Sequence, residues 1–173
     1  MAAVASIILN FGFLLAEEIE INNEIVSFDA EKVDYKTNDN VETTFLFRDE
    51  GGFVEISGAK FENILSTSKS LNPSYIKIDA SGKIIEADLT ANEKGSNFLI
   101  NGINFEAPPN SRVHYSDHYS EGKKGFYLEN IKASKIEEDK FVGATIEGKN
   151  VNLFDELKFS DARVVFNKDS YLV

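Results

Sequence analysis

Ile56-Ser57-Gly58-Ala59-Lys60-Phe61-Glu62 and Ile100-Asn101-Gly102-Ile103-Asn104-Phe105-Glu106 share one frame, and Ile146-Glu147-Gly148-Lys149-Asn150-Val151-Asn152 repeats it. The anchoring isoleucines stand 44 and then 46 positions apart. Midway through the first interval lies Ile78-Asp79-Ala80-Ser81-Gly82, and Phe126-Tyr127-Leu128-Glu129-Asn130-Ile131 fills the same place in the second. The tripeptide Glu129-Asn130-Ile131 also occurs as Glu62-Asn63-Ile64. The underlying unit is about 22 residues long: an aromatic or aliphatic strand, a small turn residue and a second short strand. Such a unit cannot bury its apolar face alone, whereas stacked copies build a continuous core and pair each backbone with the rung on either side. Five units over residues 53–154 exceed the minimum of about three that stacking requires.

The same alternation is the dominant signal from Ile19 onward. Phe53-Val54-Glu55-Ile56, Tyr75-Ile76-Lys77-Ile78, Phe98-Leu99-Ile100 and Val164-Val165-Phe166 carry the period of two that marks short strands separated by turns. The best helical candidates, residues 61–71 and 152–157, are short. Pro73, Pro108 and Pro109 fall where neighbouring Asn or Ser already indicates a turn. The expected fold class is all-β: a repetitive short-strand stack, either a β-solenoid or an open β-jelly-roll. An ordinary β-sandwich is the competing arrangement.

Composition narrows the function classes. The 173 residues hold 18 Lys+Arg against 29 Asp+Glu, a formal net charge of -11, with no Cys. Disulfides, thiolate zinc sites and cysteine nucleophiles are thereby excluded. An acidic surface repels phosphate backbones, so nucleic acid is not an expected partner. The first 16 residues bear no charged side chain, and Ile7-Ile8-Leu9-Asn10-Phe11-Gly12-Phe13-Leu14-Leu15 precedes an abrupt change to Glu17-Glu18-Ile19-Glu20. That apolar run is shorter than the roughly 20 residues a membrane span needs. It fits the apolar region of a secretory signal cleaved after Ala16, which would leave residues 17–173 as one β-rich repeat domain outside the cytoplasm, with no membrane span. A buried first strand or helix of a cytosolic domain is the opposing reading.

Two resemblances follow from these residues. Val54-Glu55-Ile56-Ser57-Gly58-Ala59-Lys60-Phe61-Glu62-Asn63 resembles a rung of the right-handed β-helix proteins, which include polysaccharide lyases and hydrolases. Phe28-Asp29-Ala30-Glu31-Lys32-Val33-Asp34-Tyr35-Lys36 and Ile146-Glu147-Gly148-Lys149-Asn150-Val151 resemble the strand-turn units of OstA-like periplasmic lipopolysaccharide-transport proteins. The second resemblance implies an open β-jelly-roll whose inner face passes acyl chains.

The two histidines lie in Arg112-Val113-His114-Tyr115-Ser116-Asp117-His118-Tyr119. Spaced four apart, the two imidazoles share a face on a strand, and on a helix Asp117 would join them at adjacent turns, so His114, Asp117 and His118 form a candidate metal set with room for an open coordination position. In a protruding loop or hairpin, Tyr115, His118 and Tyr119 would instead contact a ligand. Gly143-Ala144-Thr145-Ile146-Glu147-Gly148-Lys149-Asn150 mimics a phosphate loop, but Asn150 lacks the Mg²⁺-binding hydroxyl and Glu147 would repel phosphate, so a strand turn is expected. Asp49-Glu50, Asp79 with Asp88, and Glu137-Glu138-Asp139 are carboxylate groupings expected in solvated turns, and Asn38-Asp39-Asn40 lacks the glycine and final Glu of an EF-hand loop. No residue is assigned a catalytic role and no cofactor is expected. The expected function is an exported, non-catalytic binding or scaffold module of the envelope or cell surface. Its expected partners are a glycan, an amphiphile or an envelope protein, with edge-to-edge self-association. The alternatives are a periplasmic carrier of lipopolysaccharide-like amphiphiles and a polysaccharide-acting β-helix enzyme.

Overall fold

A computed structural model describes residues 16–38, 42–66, 69, 72–120, 122–135, 141–153, 157–167 and 170–172. In chain order the strands are β1 (Ala16–Ile21), β2 (Glu24–Asp29), β3 (Val33–Thr37), β4 (Thr43–Phe47), β5 (Val54–Ile56), β6 (Ala59–Phe61), β7 (Tyr75–Ile78), β8 (Ile84–Thr90) and β9 (Ser96–Ile100). They continue as β10 (Ile103–Ala107), β11 (Arg112–Ser120), β12 (Lys123–Glu129), β13 (Lys132–Lys135), β14 (Thr145–Lys149), β15 (Val151–Asn152), β16 (Lys158–Phe159), β17 (Ala162–Asn167) and β18 (Ser170–Leu172). The fold is all-β, as the alternation requires. Among the described residues no helix is long and apolar enough to cross a membrane. Residues 61–66 close β6 and bridge through Ile64 to Ala91 instead of starting a helix. Residue 152 ends β15 rather than opening one, while 154–156 lie outside the described residues. So do residues 1–15, Asp39, Asn40, and Glu137 to Asp139.

One layer is a nine-stranded sheet in the order β18-β17-β14-β12-β11-β8-β7-β4-β3. The other layer consists of two sheets, β1-β2-β5-β6 and β16-β15-β13-β10-β9. Strands β6 and β9 lie side by side in it without ladder pairing, tied by the Ser96 hydroxyl donating to the Glu62 carbonyl at 2.6 Å. Between the layers Phe28, Phe45, Phe47, Phe61, Phe98, Phe105, Phe126, Phe141 and Phe166 are fully buried. Each such side chain contributes about 1.5–3 kcal/mol of transfer free energy, which compensates for the missing disulfides. Phe28 meets Phe45 at 5.5 Å, and Phe105 meets Phe126 at 5.4 Å, so rings from both layers share one core.

The matched sequence units take two different shapes. Ser57-Gly58 and Asn101-Gly102 both carry positive φ at successive residues (49° and 77°, 49° and 84°), the turn that joins β5 to β6 and β9 to β10 as tight hairpins. Ile146 to Asn152 forms no hairpin. Gly148 stays in β14, and Asn150, at φ 54°, turns the chain into β15 of the other layer. Asn130, at φ 53°, does the same between β12 and β13. These two strand-corner-strand segments run parallel, β12 beside β14 and β13 beside β15.

Hydrogen bonds continue round the corner. Asn130 N–H donates to the Lys149 carbonyl at 2.9 Å, and Asn152 N–H to the Ile131 carbonyl at 3.0 Å. The Asn150 amide donates to Asn130 Oδ1 at 2.9 Å, and the buried Ser111 hydroxyl donates to the Asn130 carbonyl at 2.8 Å. Asparagine suits these corners because its short amide tolerates the left-handed conformation.

A Cβ at position 148 would lie 2.5 Å from the Leu128 carbonyl oxygen and 2.6 Å from Val151 Cγ2. Gly148→Ala is therefore expected to lower the unfolding free energy by about 1–3 kcal/mol, measured by urea denaturation. Asn150→Ala, which places an alanine at φ 54°, should lose about 1–2 kcal/mol, and Asn150→Gly should restore part of it.

Candidate functional site

Alternation decides which side chains β8, β11, β12 and β14 present to solvent. Ala87, Leu89, Val113, Phe126, Leu128 and Ile146 are buried in the core. Their neighbours face outward and fall into register across the nine-stranded sheet. Tyr75 stands opposite Asp88, Asp88 opposite His114, His114 opposite Tyr127, Tyr127 opposite Glu147 and Glu147 opposite Arg163. The next row places Lys77 opposite Glu86, Glu86 opposite Ser116 and Ser116 opposite Gly125.

This face is a network of ion pairs edged by tyrosines. Arg112 grips Asp88 with two bonds, Nε to Oδ1 at 2.8 Å and Nη2 to Oδ2 at 2.5 Å, and its guanidinium lies 5.8 Å from the centre of the Tyr127 ring. Lys77 Nζ and the Tyr75 hydroxyl both donate to Glu86, at 2.8 and 2.5 Å. Arg163 Nε stands 3.3 Å from Glu147 Oε1, and its Nη2 donates to the Ser120 hydroxyl at 3.2 Å. His114 Nδ1 is buried without a hydrogen-bond partner, 3.5 Å from Asp88 Oδ2.

Charge placement sets the protonation states. Burial by itself would raise the Asp88 carboxyl, but the hydrogen bonds and charge of Arg112 outweigh it and hold Asp88 below the usual carboxylate range. Burial is likewise overcome at Glu86 by the bonds from Lys77 and Tyr75. The Tyr75 phenol is raised by burial and by Glu86. Tyr119 is pushed up to about 12 by burial and by its bond to Glu147. Near neutral pH Asp88 and Glu86 are therefore ionised, and Tyr75 and Tyr119 keep their phenolic protons.

Strand β11 slips register between Ser116 and Ser120, and this irregularity brings Tyr119 back over the sheet. Its ring lies against Gly125, where a Cβ would stand 2.5 to 2.7 Å from Tyr119 Cδ1, Cγ and Cβ. Its hydroxyl donates to Glu147 Oε2 at 3.1 Å, and its ring centre is 6.0 Å from that of His114.

The residues expected to form sites are thus divided among different surroundings. Tyr119 and His114 belong to the outer face. Tyr115 points the other way: it is 2% exposed, packs 4.8 Å from Phe126, and its hydroxyl donates to Asp117. Asp117 also takes Lys83 Nζ at 2.7 Å. His118 is exposed, and its backbone N–H donates to the Ser116 hydroxyl. His114, Asp117 and His118 are not gathered into one cluster, because the register slip separates the last two from the row that holds His114. Among the described residues no group of three or more His, Asp or Glu side chains is placed to hold a metal ion. Thr145–Lys149 of the phosphate-loop mimic form strand β14, and Asp79 closes the β7–β8 turn by accepting from the Ser81 and Lys83 backbone N–H groups.

Sequence reasoning missed Asp88, Arg112, Tyr127, Glu147 and Arg163 as one group. The available signal was alternation within each strand, but which strands are neighbours is not written in it. No family model, curated protein or solved structure matches this chain.

Asp79, Glu86 and Asp88 are all held below their ordinary values, so on acidification the unfolded chain takes up protons first. Their stabilisation is complete above about pH 5 and is lost as pH falls through their folded values. Asp88→Asn, which strands Arg112, should destabilise the protein by about 2 kcal/mol at pH 7 and by less at pH 3, as read from denaturation curves at the two pH values.

Proposed function

We propose that this is an exported, non-catalytic β protein acting at the envelope or cell surface as a binding or scaffold module, with the outer face of the nine-stranded sheet as its binding surface. The observation that carries this reading is the row from Tyr75 to Arg163, in which aromatic and paired charged side chains stand in register across six strands on the outer face, mostly half-buried among one another. Aromatic bodies with polar tips and preformed donors and acceptors suit recognition, since little side-chain freedom remains to be lost on binding.

Two other readings are less well supported. A glycoside hydrolase needs one carboxyl raised enough to donate a proton, whereas Asp88 and Glu86 are lowered and tied to cations. A carrier of acyl chains needs an apolar lumen, whereas among the described residues nine phenylalanines are fully buried between the layers. The parallel pairing of β12 with β14 and of β13 with β15 favours a short solenoid-like segment, joined to jelly-roll-like antiparallel hairpins. The outermost strands β1, β3, β16 and β18 provide edges for self-association. The apolar residues before Glu17 support export.

Expression of the full chain in a bacterial host should yield, by intact mass, a protein beginning at Glu17 in the extracytoplasmic fraction. That protein should co-sediment with isolated envelope material, and Gly125→Ala, which displaces Tyr119 from its seat, should weaken co-sedimentation. Glu55→Gln, on the opposite layer, should not. An uncleaved cytosolic product, or sedimentation indifferent to Gly125→Ala, would refute this reading.

A further inference from the structure

At the β12, β14 and β17 side of the same face lies an open depression of about 290 Å³, lined by Tyr127, Glu147, Gly148, Asp161, Ala162 and Arg163. Gly148 and Ala162 are cross-strand partners that line it beside the outward-facing Glu147 and Arg163. Tyr119 adjoins it through its bond to Glu147. We propose that this depression is a subsite for one pyranose ring of a neutral oligosaccharide. The proposal rests on the reading of this face as a binding surface and names the ligand class.

Size admits that ligand and chemistry selects it. The depression, about 290 Å³ and open to solvent, is large enough to seat a single sugar ring. Tyr127 supplies an aromatic surface of the kind against which the C–H face of a sugar packs. Glu147 and Asp161 accept hydrogen bonds from hydroxyls, and Arg163, already oriented by Glu147 and Ser120, donates to a ring or hydroxyl oxygen. Two carboxylates against one guanidinium leave the depression net negative, within a chain of net charge -11. A phosphate, sulfate or uronate would meet repulsion there, whereas a neutral hydroxylated ring would not. His114, Asp88 and Tyr75 follow Tyr127 in register across the sheet, so a longer glycan can run along this row with the pyranose at Tyr127 as its anchor.

The test is a ¹H–¹⁵N NMR titration of the 17–173 protein with neutral gluco-, manno- and N-acetylhexosamine oligosaccharides, alongside oligogalacturonate as the anionic counterpart. At least one neutral oligosaccharide should shift the amides of residues 125–128, 147–148 and 161–163, and oligogalacturonate should not. Tyr127→Ala should weaken binding about tenfold or more, and Asp161→Asn, which keeps the shape of the side chain, should weaken it while leaving the folded spectrum intact. Neutral glycan binding unaffected by both substitutions would overturn this subsite. Absence of binding by every neutral sugar, with Gly125-dependent envelope co-sedimentation retained, would overturn the ligand class and leave the binding-face reading standing. Loss of both would remove the two together.

Discussion

A chain that passes from one layer to the other exposes backbone donors and acceptors at each corner, and a folded protein does not leave such groups unpaired in its interior. In this protein the corners satisfy one another. Ser111, Asn130 and Asn150 stand 19 and 20 residues apart and are joined in a column by the Ser111 hydroxyl on the Asn130 carbonyl and the Asn150 amide on Asn130 Oδ1. Everything on either side of that column inherits its register. Once Asn130 and Asn150 are aligned, Leu128 must stand beside Gly148 and Tyr127 beside Glu147, and a slip of one residue would turn every core side chain outward.

The same column explains the close approach at Gly148. Two parallel strands that turn at adjacent corners bring the Leu128 carbonyl and Val151 into the space a side chain at 148 would need. Only the absence of a Cβ permits it. The outer face then follows from the inner one: with Phe126 and Leu128 committed to the core, Tyr127 has no alternative to the solvent side.

Charge distribution gives this face its character. Lys77, Arg112 and Arg163 oppose Glu86, Asp88 and Glu147 in equal number, each joined by a short contact. These six side chains are balanced, while Asp161 beside Arg163 adds a carboxylate at one end of the face. Balance of this kind contributes little to stability where the pairs are exposed. It fixes side-chain positions instead.

The alternation in Tyr75-Ile76-Lys77-Ile78 and Phe126-Tyr127-Leu128 by itself determined that the chain is all-β and which residues of each strand go inward, because the pleat has a period of two wherever the strand lies. Glycine and asparagine at positions 58, 101, 102, 130 and 150 likewise marked the turns, since few other residues adopt positive φ. Only the tertiary structure decided that Ile56-Ser57-Gly58 and Ile146-Glu147-Gly148, so alike in letters, become a hairpin and a layer-crossing corner. It alone joined Asp88, Arg112, Tyr127, Glu147 and Arg163 into one surface and sent Tyr115 inward. The physical reason is that strand pairing is a contact between distant segments, set by how the corners stack and the core fills, and no local run of residues records which strand will be its neighbour.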